Sequence, residues 1–436
     1  MIEPNPSLVL TAQWLLGGAF TAYLAATLLF ISGFIGNRMS RGARFARNGR
    51  WGVQAHLLGV LCHAGAIITR WQGSGHWPTS NMYEFIGFMT FTSMVAFQII
   101  CRMYELPLLG SVVAPVGVLT MAYSYVFPPA VAPLVPALKS YWLPIHVSMA
   151  ALGEGFFAVA FGAALLYLLR VRGLELAAAE ALRAHVAATA SPDVPVLEGG
   201  SLPSHAEARS DWERVWGHRG LETLFYVVLV IVGFTLFALT MRYSGYQWIF
   251  DTVTYRLPPL IGPAGAIAGS KGNLLGFIPM PIVMAPVGWS GRQFNTLIYS
   301  LVLGGVLYGL VRRFVTHGPI GDALARRVSG DPEILDEISY RAVAIGYPVF
   351  TLGALIFAML WAKSAWGRYW FWDPKETWAF ISWLVYTAYL HLRMSRGWEG
   401  RKAAWVAVLG FGVVLFTLVG VNLLIVGLHS YAGGDK

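Results

Sequence analysis

Ten stretches of this chain each stay apolar for about twenty residues, and that property restricts the fold more than any motif does. They cover 13–35, 51–70, 82–101, 108–127, 143–169, 221–241, 294–314, 343–363, 377–393 and 404–427. A helix of about 20 residues crosses the roughly 30 Å hydrocarbon core of a bilayer, where backbone polar groups must be satisfied internally. Only 12% of the 436 residues are charged, about half the share found in soluble domains. The expected fold is therefore all-α: a polytopic membrane bundle of about ten transmembrane helices. Pro115 interrupts the fourth stretch, which membrane helices tolerate where neighbours re-satisfy the backbone. Residues 257–289 are apolar but broken by Pro and Gly, and are expected to lie on the surface or re-enter. The start, MIEPNPSL, lacks a basic n-region, so the first run reads as a membrane helix rather than a removable signal.

The net charge of +9 would point to nucleic acid in a soluble protein. Here the basic residues fall mostly in short loops between apolar runs, where they set orientation instead. Residues 37–50 hold Arg38, Arg41, Arg44, Arg47 and Arg50 without an acid, which places that loop in the cytoplasm. Counting spans from there puts 393–402 inside as well. Loops 71–81, 128–142, 242–293 and 364–376, and both chain ends, fall outside. Cys62 and Cys101 form no CxxC, which speaks against a thiol relay or zinc site in this chain alone. Residues 171–220 are polar and rich in Ala, Pro and Ser, and are expected to be a mobile cytoplasmic linker with room for one helix. Three regions follow: 1–170 with five helices, 171–336 as an insertion with two more, and 337–436 with three. No internal repeat suggests an inverted-repeat transporter.

Ionisable side chains within spans are functional hypotheses by default. His146 stands at the outer mouth of the fifth span and His429 at the outer end of the tenth, both on the side of the 364–376 loop. Imidazoles from two helices can clamp an iron from opposite faces; the plainer reading is two interfacial histidines bonded to water or headgroups. His391 lies thirteen residues after Trp378, roughly 20 Å down the ninth span. His63 is midway through the second span, with His56 two turns earlier on nearly the same face.

The loop itself reads WGRYWFWDPKETW, residues 366–378, with five Trp between 361 and 378. That is too dense for an interfacial aromatic belt alone. Indole faces at Trp366, Trp370, Trp372 and Trp378 suit a large flat apolar ligand with polar edges. Gly367 lies within the same platform; Arg368 and Lys375 could pair with acidic edges, and Asp373 and Glu376 could orient the ligand or the indoles. Pro374 fixes the chain at the start of a helix whose first turn holds Glu376, where a carboxylate is favoured. Composition does not say that such a ligand is haem.

Resemblance supplies that step. WGRYWFWDPKETWAFISW strongly resembles the WWD signature of haem-handling proteins of cytochrome c maturation. SGHWPTSNMYE (74–84), LVPALKSYWLPIHVSMAALGE (134–154), EISYRAVAIGYPVFTLGALIFAMLWA (337–362) and FGVVLFTLVGVNLLIVGLHSYA (411–432) resemble the CcsA/ResC branch of its System II pathway, over about 1–170 and 337–436. The resemblance implies that His146 and His429 are external axial ligands of haem b, and that His391 is the membrane histidine following the motif. The family's second membrane histidine is assigned to a CcsB/ResB partner, and His63 is the candidate for that role within this chain. Members of the branch have about eight spans, so 171–336 is expected to be a departure.

The implied activity is that of a holocytochrome c synthase, or haem lyase, in the cytoplasmic (inner) membrane with the Trp-rich loop on the external face. It would join haem to the CXXCH segment of an apocytochrome c, kept reduced indirectly by thiol-reducing proteins. The same ligands would serve a haem exporter or chaperone feeding a separate synthase. A b-type electron carrier would need two facing ligand pairs, and His391 has no secure partner within this chain.

Overall fold

A seven-residue register joins the first three helices: α1 (Pro6–Gly36), α2 (Gly42–Ser74) and α3 (Met82–Tyr104). Tyr23 of α1 lies flat over Gly59 of α2, where a Cβ would meet the ring at 2.6 Å. On the other side of α2, His56 Nδ1–H donates to Gln98 Oε1 at 2.8 Å, and Arg70 pairs with Glu84 at 2.8 Å. His63 lies halfway between these rungs against Phe91, ring centroids 5.4 Å apart. Small residues and buried polar pairs hold helices together in lipid, where apolar side chains gain nothing by association.

The structure is a computed structural model describing residues 4–36, 42–131, 134, 136–189, 211–243, 247–250, 253–256, 271–274, 278–281, 291–395 and 398–421. After α4 (Gly110–Ser124), which stays helical through Pro115 as expected, comes α5 (Trp142–Thr189). Its 48 residues extend about 72 Å at 1.5 Å each, more than twice the bilayer core. The linker expected over 171–220 is thus helical at both of its described ends. Residues 171–189 continue α5, 211–220 begin α6 (Asp211–Tyr243), and 190–210 lie outside the described residues. The reason is local and tertiary together. LELAAAEALRAHVAAT is built from strong helix formers, and Arg172, Glu175 and Glu180 pair with Asp322, Arg401 and Arg326.

α6 packs against α7 (Gly291–Leu310), which runs on into a π-helical turn, Val311–Val315. Between α6 and α7 lie two short antiparallel hairpins, Gln247–Phe250 with Val253–Arg256 and Lys271–Leu274 with Ile278–Pro281. The second hairpin falls within 257–289, the rest of which lies outside the described residues. Glu222 of α6 ties this pair to the bundle: it accepts from Tyr308 Oη at 2.5 Å and from the Gly321 amide of α8 (Ile320–Ala325) at 2.6 Å.

α9 (Pro332–Phe350) starts at an Asp331 cap and Pro332, passes through a π-helical stretch, Thr351–Phe357, and becomes α10 (Ala358–Trp366). α11 (Pro374–Met394) and α12 (Arg401–Leu415) complete the bundle, α12 also running into a π-helical stretch, Phe416–Gly420. Among the described residues nine helices are long and apolar enough to cross a membrane. The expected ninth span, 377–393, is the 21-residue α11; it packs against α9 and α12 but is too polar to be counted with the others. α5 is the central helix, in contact with α3, α9 and α12 and buried almost continuously from Gly155 to Leu166.

One end of the bundle gathers residues 79–82, 138 and 361 with the start of α11. At the other end Arg393 pairs with Asp336 at 2.5 Å and Arg401 with Glu175. This division matches the count that put loops 71–81, 128–142 and 364–376 on one side and 393–402 on the other. The all-α membrane bundle is confirmed, and its centre is where a site can be built.

Candidate functional site

Leu143, His146, Val147, Ala150 and Glu154 recur every three or four residues along α5, so they share one face, and together they line a cavity of about 160 Å³. The facing wall is α9–α10, contributing Phe350, Ala354, Ala358 and Trp361. The start of α11 adds Lys375 and Glu376, and the π-helical end of α12 adds Thr417 and Leu418. The last side is the 79–82 segment, and its shape is fixed by charge. Glu84 takes Arg70 on one oxygen and both the amide and hydroxyl of Ser80 on the other, at 2.9 and 2.7 Å, while Asn81 caps α3.

Among the described residues lining this surface, His146 is the only histidine. Its Nδ1 lies 3.0 Å from the Gly353 carbonyl oxygen. A carbonyl only accepts, so Nδ1 carries the proton and Nε2 is the basic nitrogen. The imidazole stacks on Trp361, centroids 5.7 Å apart at 15°. Trp361 is only 2% exposed and is held in turn by its Nε1–H donating to the Ala137 carbonyl at 3.1 Å. The Gly353 carbonyl is presented from the π-helical stretch, a distortion that recurs at functional sites. Gly353 is also the only residue type that fits: a Cβ there would meet the Ala150 backbone nitrogen at 2.2 Å.

The Trp-rich loop begins where α10 ends at Gly367, in the left-handed region at φ +79°. Its acids are consumed by folding. Asp373 is buried and caps α11 with Pro374 at the first turn; Glu376 completes the capping box and accepts from the Phe371 and Asp373 amides at 2.8 and 3.4 Å. These two carboxylates thus have a structural role in the loop, and Glu376 also lines the cavity. Trp372 sits at φ +56° and is 67% exposed, a conformation costly for a bulky residue. Burial pushes the Lys375 ammonium down to about 8, with Asp373 opposing the shift.

The indoles divide into two groups. Trp366 packs on Trp361 at 4.7 Å and so belongs to the His146 wall. Trp370 and Trp372 pack edge-on with each other and with Phe380, and Trp378 lies on Phe416 at 4.4 Å. Arg368 lies over the Phe371 ring at 5.6 Å and does not line the cavity. Of the expected platform, Lys375 and Glu376 reach the cavity. Trp361, Gly353, Glu154 and Thr417 are site residues that pattern reading did not single out; only Trp361, within the Trp count, carried a signal.

His429 lies outside the described residues. His391 is exposed at the far end of α11, well removed from His146. His63 is buried at 1% exposure and borders a cavity of about 40 Å³ with Arg70 and Glu84. That space accommodates a few waters, and among the described residues His63 stands apart from the His146 cavity.

Against the chemistry of haem the main cavity fits: a fixed imidazole with a basic Nε2, an aromatic wall, an apolar lining and a lysine among the lining residues. The class so defined is a polytopic helical membrane protein with a histidine set in an aromatic cavity beside a Trp-rich helix start. The chain belongs to the cytochrome c assembly protein family, whose model matches residues 79–253 and 297–429. It is 30% identical to the cytochrome c biogenesis protein CcsA of Nostoc punctiforme over 433 residues, 98% of this chain and 99% of that one. It is 30% identical to CcsA of Trichormus variabilis over 98% and 99% of the two chains, and 28% identical to CcsA of Gloeobacter violaceus over 98% of each. These matches run nearly end to end, so 171–336 falls within the length these relatives share.

Proposed function

We propose that the chain is a cytochrome c synthase subunit that takes haem as substrate in the His146 cavity and promotes its thioether attachment to an apocytochrome CXXCH segment. Family membership gives the coarser part, a role in cytochrome c biogenesis. The observation that carries the finer part is the His146–Gly353 contact, which prepares Nε2 as an iron ligand inside an aromatic, apolar cavity.

In this reading His146 and His429 hold the iron from its two faces, Trp361 and Trp366 exclude water, and Lys375 receives a propionate. The Trp-bearing end faces the outside of the cytoplasmic membrane, in keeping with a cytoplasmic assignment of the Arg-rich sequence 37–50. His391, exposed on α11, faces a CcsB/ResB-type partner that completes a second, membrane-level site. The chain contributes proximity and orientation to the bond-forming step. Each thiol sulfur bonds to a vinyl α-carbon, its proton ends on the β-carbon, and the CXXCH histidine displaces one protein ligand.

Reconstitution of the chain and its partner with haem and a reduced CXXCH peptide tests this. A covalent haem–peptide product is expected. Bound haem without product supports delivery to a separate synthase and sinks the synthase reading.

A further inference from the structure

The fold of the cavity wall leaves one polar side chain idle, that of Thr79. It is 9% exposed and lines the His146 cavity, yet its hydroxyl has no hydrogen-bond partner among the described residues. The other hydroxyls of that lining are engaged: Ser80 Oγ–H donates to Glu84 Oε2 at 2.7 Å, and Thr417 Oγ1–H to the Val413 carbonyl at 2.9 Å. The backbone of Thr79 is held on both sides. Its amide donates to the Trp77 carbonyl at 2.9 Å across Pro78, and the Ser80 amide donates to Glu84 Oε2 at 2.9 Å. Arg70 fixes Glu84 in turn. A buried ion pair thus holds in place a hydroxyl that bonds to nothing in the protein.

A hydroxyl taken out of water without a partner costs free energy, and a ligand that accepts from it recovers that cost. The rest of the lining says what such a ligand carries. Lys375, at the start of α11, lines the cavity at the same end of the bundle. A hydroxyl donor and an ammonium on otherwise apolar walls suit an apolar ligand with a carboxylate edge. We propose that Thr79 donates its hydroxyl to a carboxylate of the bound tetrapyrrole and so selects free-acid porphyrins over their neutral esters. The proposal rests on the haem-handling reading and adds to it a residue that decides which tetrapyrroles the cavity keeps. In protoporphyrin the vinyl groups stand on the edge opposite the propionates, so holding the propionates also sets where the vinyls lie.

Zinc(II) protoporphyrin and its dimethyl ester separate the two claims, because they share ring and metal and differ only at the carboxyl groups. Their affinities are measured by fluorescence at pH 7 on the purified full chain. The acid-to-ester affinity ratio is expected to fall about tenfold in Thr79→Val, the difference between a hydrogen bond to a charged acceptor and one to a neutral acceptor. In Thr79→Ser, which keeps the hydroxyl, the ratio should stay near the wild-type value. Unliganded Thr79→Val should melt no lower than the wild type, since no partner is lost; a markedly lower melting temperature assigns the hydroxyl to the fold and overturns the proposal. An unchanged ratio with both porphyrins bound, or an equal fall in both affinities, overturns the role of Thr79 and leaves haem handling standing. Failure of the wild type to bind either porphyrin overturns both. Thr79→Ala gives the same comparison if the valine variant does not fold.

Discussion

His146 and Gly353 stand 207 positions apart in the chain, yet the imidazole Nδ1 and the glycine carbonyl oxygen are 3.0 Å apart. The contact links the central helix to the π-helical break between α9 and α10. It also decides which histidine nitrogen can meet a metal.

His146→Gly should therefore abolish the low-spin spectrum of haem added to the purified chain, and exogenous imidazole should restore part of it. A spectrum unchanged by the substitution would refute the ligand assignment.

Gly353→Ala should destabilise the protein by about 1–3 kcal/mol, the usual cost of overpacking, because its Cβ would meet Ala150 N at 2.2 Å and Met149 C at 2.6 Å. Moving the carbonyl also loosens His146, so haem affinity should fall with the melting temperature. Gly412→Ala, with nothing within 4 Å of the added Cβ, is the control and should change neither.

Lys375 gives the cavity a pH dependence. Its ammonium loses its proton near pH 8, so attraction for an anionic ligand is complete below that value and fades above it. Porphyrin affinity should drop between about pH 7.5 and 9, and Lys375→Met should flatten the profile. For stability the sign is opposite. The unfolded chain holds that proton up to its ordinary value near 10.5, so between about 8 and 10.5 the wild type gains stability with pH relative to Lys375→Met. Chemical denaturation across that range reads the difference.

Asp373→Ala should cost about 1 kcal/mol through loss of the cap on α11, and should loosen the loop on which Lys375 depends. Asp373→Asn keeps a capping oxygen and should retain most of the stability. Equal melting temperatures for the two variants would contradict the capping role.

Arg70 and Glu84 are 4% and 5% exposed, and the pair shapes the 79–82 wall. Arg70→Leu strands a buried carboxylate and should cost roughly 3–5 kcal/mol, much of it regained in Arg70→Leu/Glu84→Leu. If the double variant is as unstable as the single one, the loss does not come from the stranded charge.

The helices were legible because twenty apolar residues in lipid have few ways to satisfy their backbone. Pro374 and Glu376 likewise announced the start of α11. In the expected linker, 171–189 continues α5 because Arg172, Glu175 and Glu180 find partners more than a hundred residues away, which no local pattern shows. His63 shows the same limit of local reading. Its place in the span was right, but the roughly 40 Å³ beside it is set by α1 and α3 as much as by α2.

The sequence by itself determined a bundle of membrane helices, the capped helix behind the Trp-rich loop, and His146 as a candidate ligand. Those properties are written in local periodicity, capping chemistry and residue type. The tertiary structure alone decided that Trp361 backs the imidazole, and that Glu154 shares its cavity. Cavities form where helices distant in sequence approach, and the approach depends on packed shapes such as the glycine at 353, which no local pattern encodes.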